Sequence, residues 1–386
     1  MERFFASCPR GLETVLAREL DALGAQQVSR TEGGVAFTGT LQTMYRANLC
    51  SRIASRVLWR IGSGRYHGEE DLYRAARTLE WDRFFAVDRT MRVNVSAVRS
   101  PLRSLDFVTL RIKDAVCDRF REAFGERPNV DTARPDVRVH VFLTEHDYTF
   151  YLDTSGEALF KRGYRQHAGE APLRENLAAG ILALAGWTPA EEALLDPMCG
   201  SATFLIEAAR AALGMPAGAE RRFGFEKLNS FDAQCWARVR ETAAQPAVPA
   251  PLRIFGSDVD GDALESARRN LIAAGVERSV RLERSDVRSI AAPAARGVLI
   301  ANPPYGVRLG DQRRVAEFYP ELGNALKRNF AGWRAYVFTA DLRLPKLIGL
   351  RPSKRIVLYN GPLECRLYEF RMVAGSMRRA RIKEEG

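Results

Sequence analysis

Gly297-Val298-Leu299-Ile300-Ala301-Asn302-Pro303-Pro304-Tyr305 decides how this 386-residue chain is read. A short apolar run bounded by turn formers predicts a strand buried on both faces, the kind that parallel sheets contain. Residues 302–305 then lie at the carboxyl end of a strand, where open α/β sheets place their ligands. Two consecutive prolines fix φ and remove two backbone donors. What remains is a rim of acceptors, the Asn302 side-chain oxygen and the Pro303 carbonyl, beside the flat face of Tyr305. Two such acceptors can hold both N–H bonds of an exocyclic amine while its ring stacks on tyrosine. A plain Pro-Pro turn closing a strand is the bland alternative, and only the rest of the chain separates the two.

Outward from that strand the pattern alternates. Helices are predicted over 173–185, 203–213, 263–273 and 315–330, and strands over 193–195, 253–257, 280–283 and 335–339. Residues 355–359 and 366–372 close the series as an antiparallel pair. Regular alternation of this kind implies a doubly wound parallel sheet, here with one terminal antiparallel strand. Residues 215–251 interrupt it as an irregular insertion, Ala/Pro-rich over 243–251.

Three acids fall at three successive strand ends. Asp196 opens Asp196-Pro197-Met198-Cys199-Gly200-Ser201-Ala202-Thr203, where small residues let the backbone approach a ligand and the following helix start offers N–H groups to an anion. Asp258, followed by Val259, ends the next strand and is placed to accept from ribose hydroxyls. Asp286, followed by Val287, comes after the third, and its carboxylate suits an adenine amine. Each acid alone reads equally well as a helix N-cap. All three, with Asn-Pro-Pro-Tyr on the fourth strand, describe one crevice. A nicotinamide site would want G-x-G-x-x-G where this chain has C-G-S-A-T, and no G-K-[ST] of a P-loop is present.

The first 155 residues read as two smaller α/β units. Strands at 3–8, 35–37 and 56–61 with helices at 11–23 and 41–49 resemble a ferredoxin-like unit. A second unit has helices at 71–79 and 107–124, a strand at 91–98, and a hairpin from 137–143 and 148–152. Arg99, Arg103, Arg111 and Lys113 precede or open its long helix, as a phosphate-facing edge or as a solvated helix face. The Gly/Arg-rich stretch 154–172 reads as a linker.

The series Asp196-Pro-Met-Cys-Gly-Ser, Gly256-Ser-Asp258, Ser285-Asp286 and Asn302-Pro-Pro-Tyr305 resembles class I S-adenosylmethionine-dependent amino-methyltransferases. Phe160-Lys161-Arg162-Gly163-Tyr164-Arg165, Ala171-Pro172-Leu173-Arg174-Glu175-Asn176-Leu177 and Gly224-Phe225-Glu226-Lys227 with Trp236 are similar to a narrower group, the THUMP-domain RNA guanine-N2 methyltransferases. The resemblance implies a ferredoxin-like domain (1–65), a THUMP RNA-binding domain (66–155), a linker (156–172), a Rossmann-like methyltransferase domain (173–375) and a basic tail (376–386). It implies S-adenosyl-L-methionine as cofactor and RNA as partner, 23S rRNA first and tRNA second. It also implies that Asn302, Pro303, Pro304 and Tyr305 act on the base, and it adds Lys161, Arg162 and Arg165 to the RNA candidates. DNA adenine and protein glutamine methyltransferases share the Asn-Pro-Pro-Tyr logic, and a decayed, RNA-binding relative is the non-enzymatic alternative. One departure stands out: the group's pattern has glycine where this chain has Ala202.

Composition agrees. The net charge is +11, which suits a polyanionic partner. The excess is uneven: residues 1–170 hold 26 Lys/Arg against 23 Asp/Glu, and residues 341–386 hold 11 against 5. Six scattered cysteines without a C-x-x-C pair predict neither a zinc site nor a disulfide scaffold and fit a reducing cytoplasm. No 18-residue apolar stretch predicts a membrane span. All four histidines precede residue 170, so no metal ligand or general base of that type is expected in the C-terminal half.

Overall fold

A computed structural model describes residues 1–165, 173–244, 251–303 and 309–373. They form two units: residues 1–165, 173–180 and 213–244 in one, residues 181–212, 251–303 and 309–373 in the other. Pro304, Tyr305 and the basic tail lie outside the described residues, as do 166–172.

In chain order the N-terminal elements are β1 (Glu2–Ser7), α1 (Glu13–Ala22), β2 (Gln26–Thr31), β3 (Gly34–Gly39), α2 (Leu41–Cys50), β4 (Arg56–Arg65), α3 (Glu69–Thr78), β5 (Met91–Ala97), α4 (Leu105–Phe124), β6 (Val137–Leu143) and β7 (Asp147–Asp153). The two small units predicted from sequence share a single seven-stranded sheet, ordered β2-β3-β1-β4-β7-β6-β5. The join is β4. It pairs with β1 through Arg56–Trp59 and with β7 from Leu58 to Arg65, so one strand belongs to both halves. β2 is the strand the sequence reading missed. It is an edge strand whose residues are mostly exposed, so no hydrophobic alternation marks it.

The rest of the chain forms α5 (Glu175–Ala185), β8 (Ala193–Asp196), α6 (Thr203–Ala212), α7 (Ala233–Thr242), β9 (Ile254–Asp258), α8 (Gly261–Ala273), β10 (Val280–Arg284), β11 (Gly297–Ala301), α9 (Leu309–Asn329), β12 (Arg334–Thr339), α10 (Leu344–Leu347), β13 (Lys354–Asn360) and β14 (Leu363–Arg371). Its sheet is ordered β10-β9-β8-β11-β12-β14-β13. The first five are parallel, and β14 runs against both of its neighbours. Every residue of β8 and β11 is buried, as the apolar runs required. The core beside them gathers Leu195, Leu299, Tyr319, Leu326, Trp333, Val337 and Phe370. Gly256 is needed for layer contact: a Cβ there would lie 2.3 Å from Leu205 and 2.9 Å from Leu282. No described helix is long and apolar enough to cross a membrane.

Two stretches depart from the domain division expected from sequence. The segment 156–165, expected as linker, is packed: Leu159, Arg162 and Tyr164 are buried, and Arg221 donates to the carbonyls of Glu157, Ala158 and Lys161. The insertion, expected within the methyltransferase domain, is carried by the N-terminal unit. The Phe225 ring lies tilted 4.5 Å from Tyr45 and meets Trp236 edge-on at 5.0 Å, and the Gly218 N–H donates to Leu49 O. On the other side Asn229 donates to the carbonyls of Phe84 and Asp82, and Lys227 pairs with Asp136. The insertion therefore staples the two halves of the shared sheet. Phe225→Ala should remove about 3–5 kcal/mol of packing; calorimetry should show a lower melting transition, and limited proteolysis should cut within 213–244 first.

Candidate active site

The strand order reverses between β8 and β11. β9 and β10 extend the sheet one way from β8, and β11 and β12 extend it the other. At such a switch point the loops leaving the carboxyl ends diverge and leave a crevice. The loop after β8, the end of β9 and the end of β11 border it here.

Asp196 is the last residue of β8 and is 3% exposed. Its Oδ1 accepts the Met198 N–H at 3.2 Å. The loop is then tied to β9 twice: the Cys199 N–H donates to Ser257 O at 2.9 Å, and the Gly200 N–H donates to Asp258 Oδ2 at 2.9 Å. The Ala202 N–H returns to Cys199 O at 2.7 Å, and Asn270 Nδ2 donates to Ser201 O at 3.1 Å. Gly200 (φ +50°) and Ala202 (φ +65°) are both left-handed, which folds the loop back on itself before α6 starts at Thr203. Pro197 and Cys199 are buried; Ser201 lies 3.4 Å from Thr203, hydroxyl to hydroxyl. Asp258 Oδ1 accepts the Asp260 N–H at 3.1 Å, so both its oxygens have a backbone donor and spare acceptor capacity.

The electrostatics are unbalanced. Burial pushes the Asp196 carboxyl up to about 8, and the neighbouring charge of Asp258 adds to the rise. Neither acid forms an ion pair among the described residues. The described residues also contain no group of three His, Cys, Asp or Glu able to hold a metal ion. A buried carboxyl facing a second acid, without a cation beside it, is a donor set suited to a ligand bringing its own positive charge.

Across the switch point, β11 ends at Ala301, followed by half-buried Asn302 and buried Pro303. Beyond β10, Asp286 is held by Arg288, whose Nε donates to both carboxylate oxygens at 3.0 and 2.9 Å. Val259 is exposed beside Asp258, whereas Val287 is buried in the core with Leu299 and Tyr319, so only its backbone can face a ligand.

Sequence profiles match along nearly the whole chain: an RlmL ferredoxin-like domain over residues 3–58, a THUMP domain over 66–153, and the RMKL-like methyltransferase domain over 162–369. The chain belongs to the RMKL-like methyltransferase family. The ribosomal RNA large subunit methyltransferase K/L of Syntrophotalea carbinolica is 42% identical over 95% of this chain and 53% of its own length. A Synechocystis protein provisionally named an RNA methyltransferase is 37% identical over 96% of both chains. The crystal structure of SMU.472 in complex with SAH superposes with a TM-score of 0.87 at 31% identity, covering 97% of this chain and 99% of that one. The chain spans about half the length of the K/L relatives it matches.

Within this RMKL-like methyltransferase the RNA candidates separate by environment. Arg162 is 2% exposed and donates to Leu159 O and Arg52 O; Arg165 donates to Glu175 Oε1 and Leu173 O. In the described residues both guanidinium groups organise the chain, Arg162 buried and Arg165 largely enclosed. Lys161 pairs with Glu157 and Lys113 with Asp114. Arg111 pairs with Glu70 and lies 4.3 Å over the Tyr73 ring. Arg99 and Arg103 are exposed on the loop between β5 and α4 and make no ion pair among the described residues. Arg99 also has φ +58°, a strained conformation for a side-chain-bearing residue.

Two outcomes test this geometry. Ala202 occupies a left-handed position that favours glycine, so Ala202→Gly should stabilise the protein by about 0.5–1 kcal/mol, read as a higher thermal midpoint. The folded chain holds the Asp196 proton more tightly than the unfolded chain does. Its stabilising contribution is therefore complete below the ordinary carboxylate range and is lost as pH rises from about 4 to about 8. Asp196→Asn should match the wild-type unfolding free energy more closely at pH 5 and exceed it by at least about 1 kcal/mol at pH 8.5, read by denaturant unfolding.

Proposed function

We propose that this chain transfers a methyl group from S-adenosyl-L-methionine to the exocyclic N2 of a guanosine in RNA, and that the RNA is 23S rRNA. The observation that carries the reading is the placement of Asn302 and Pro303 at the end of β11, across the switch point from the cation-deficient pair Asp196 and Asp258. In this reading residues 1–65 and 66–155 form the RNA-binding half, and the chain to 375, apart from the insertion, forms the catalytic half.

The donor supplies an already activated sulfonium methyl, so no covalent enzyme intermediate is needed. Its positive charge suits these residues: Asp258 offers a carboxylate without an ion-pair partner among the described residues, and the buried Asp196 carboxyl would ionise against a bound cation. Asp258 would accept from the ribose hydroxyls, Asp286 would accept from the adenine amine, and residues 197–203 would enclose the amino-acid end. SAH bound to SMU.472 supports this assignment.

The chain's own chemistry concerns the acceptor nitrogen, whose lone pair is delocalised into the guanine ring. Asn302 Oδ1 and the Pro303 carbonyl would accept its two N–H bonds and favour a tetrahedral nitrogen with its lone pair turned toward the donor. The same two oxygens stabilise the positive charge that grows on that nitrogen before a proton leaves. Tyr305 would stack on the extruded base and offset an unstacking cost of roughly a few kcal/mol. Names containing ribosomal RNA large subunit among the relatives favour rRNA over tRNA as substrate.

Asn302→Ala should lower kcat by about a thousandfold, equivalent to about 4 kcal/mol of lost positioning, while changing cofactor affinity less than about threefold. Stopped-turnover assays with labelled cofactor and calorimetric titration measure the two separately; near-normal turnover would take Asn302 out of the chemistry. Label should enter rRNA from a deletion strain as N2-methylguanosine. Label in tRNA would move the substrate, and label in DNA adenine or in protein would overturn the reading.

A further inference from the structure

Arg288 lies outside every motif that defines the site, yet it joins three parts of it. Its Nε and Nη2 grip the Asp286 carboxylate in a fork, at 3.0 Å to Oδ1 and at 2.9 and 2.5 Å to Oδ2, and its own N–H donates to Oδ1 at 2.9 Å. Its Nη1 donates to Glu321 Oε2 on α9 at 2.9 Å. Its carbonyl accepts from Arg328 Nη2, and the Ile290 carbonyl accepts from Asn329 Nδ2, both at 2.9 Å and both from the last turn of α9. α9 is the helix that follows the Asn302 segment in sequence. The loop after β10 is thus strapped to α9 by three hydrogen bonds, donated by Arg288, Arg328 and Asn329.

The donor count is informative. A carboxylate oxygen accepts about two hydrogen bonds. Three Arg288 donors, its N–H, Nε and Nη2, occupy the carboxylate, with Nε shared almost equally between Oδ1 at 3.0 Å and Oδ2 at 2.9 Å, which leaves about one acceptor site on the pair of oxygens. Arg288 also holds the carboxyl below the ordinary carboxylate range, so that site stays anionic. One anionic acceptor in a fixed plane accepts an amine N–H and repels a carbonyl oxygen. Exposed ion pairs are usually weak, but a forked guanidinium–carboxylate pair within a network is the exception.

The geometry points to Arg288 as a positioning residue that, anchored by Glu321, presents one Asp286 oxygen so that the site selects a 6-amino purine over a 6-oxo purine. This rests on the S-adenosylmethionine reading above and adds the residue that sets its base selectivity. Arg288 itself does not touch the donor in this scheme.

The test is calorimetric titration of the full chain with S-adenosylhomocysteine and with S-inosylhomocysteine, which carries a carbonyl in place of the amine. Wild type should favour the adenosyl compound by at least about tenfold, as sites built around a hydrogen bond do. Arg288→Ala should weaken adenosyl binding about five- to twentyfold and shrink the preference below about threefold, a change in ratio that a general loss of packing would not produce. Glu321→Gln should shift the ratio in the same direction by less, and should add nothing in the Arg288→Ala background. A wild-type ratio retained in Arg288→Ala overturns the inference while leaving the cofactor reading in place. Failure of wild type to bind S-adenosylhomocysteine removes that reading, and the inference with it.

Discussion

The C-terminal unit depends on one constraint: parallel strands buried on both faces can expose polar chemistry only at their ends. β8 and β11 are buried along their whole length, so nothing reactive can sit on the sheet itself. Asp196, Asp258 and Asn302 are each the last residue of a strand or the residue after it. The reversal of strand order between β8 and β11 then opens a gap where such residues can surround a ligand. The apolar core of Leu195, Leu299, Val337 and Trp333 is what holds those ends in register.

What the sequence made legible follows from that constraint. Buried parallel strands are short apolar runs, and ligand residues come straight after them. Reading β11 and the tetrapeptide behind it therefore gave the fold and a candidate site. The departure at Ala202 was visible through the family pattern, which has glycine there; the left-handed backbone that explains the glycine is a finding of the structure. The φ of +65° shows that alanine adopts the conformation at the strain expected for a residue with a Cβ.

The features that escaped sequence reading are those fixed by distant partners. β2 is polar and lies at a sheet edge, so no periodicity marks it. Arg162 and Arg165 look like surface cations until tertiary contacts surround their guanidinium groups with carbonyls and a glutamate. The aromatic residues of the insertion read as an irregular loop because the partner that buries them, Tyr45, lies about 180 residues earlier. Local pattern reports what a segment can bury, and says little about which segment does the burying.

The pairing of β4 with both β1 and β7 has a mechanical consequence. A continuous hydrogen-bonded ladder does not hinge at its middle strand, and the insertion bolts it from the side through Leu49, Phe84 and Asp136. The N-terminal unit therefore behaves as a ruler rather than as two beads on a string. Groups carried at its two ends are kept at a constant separation.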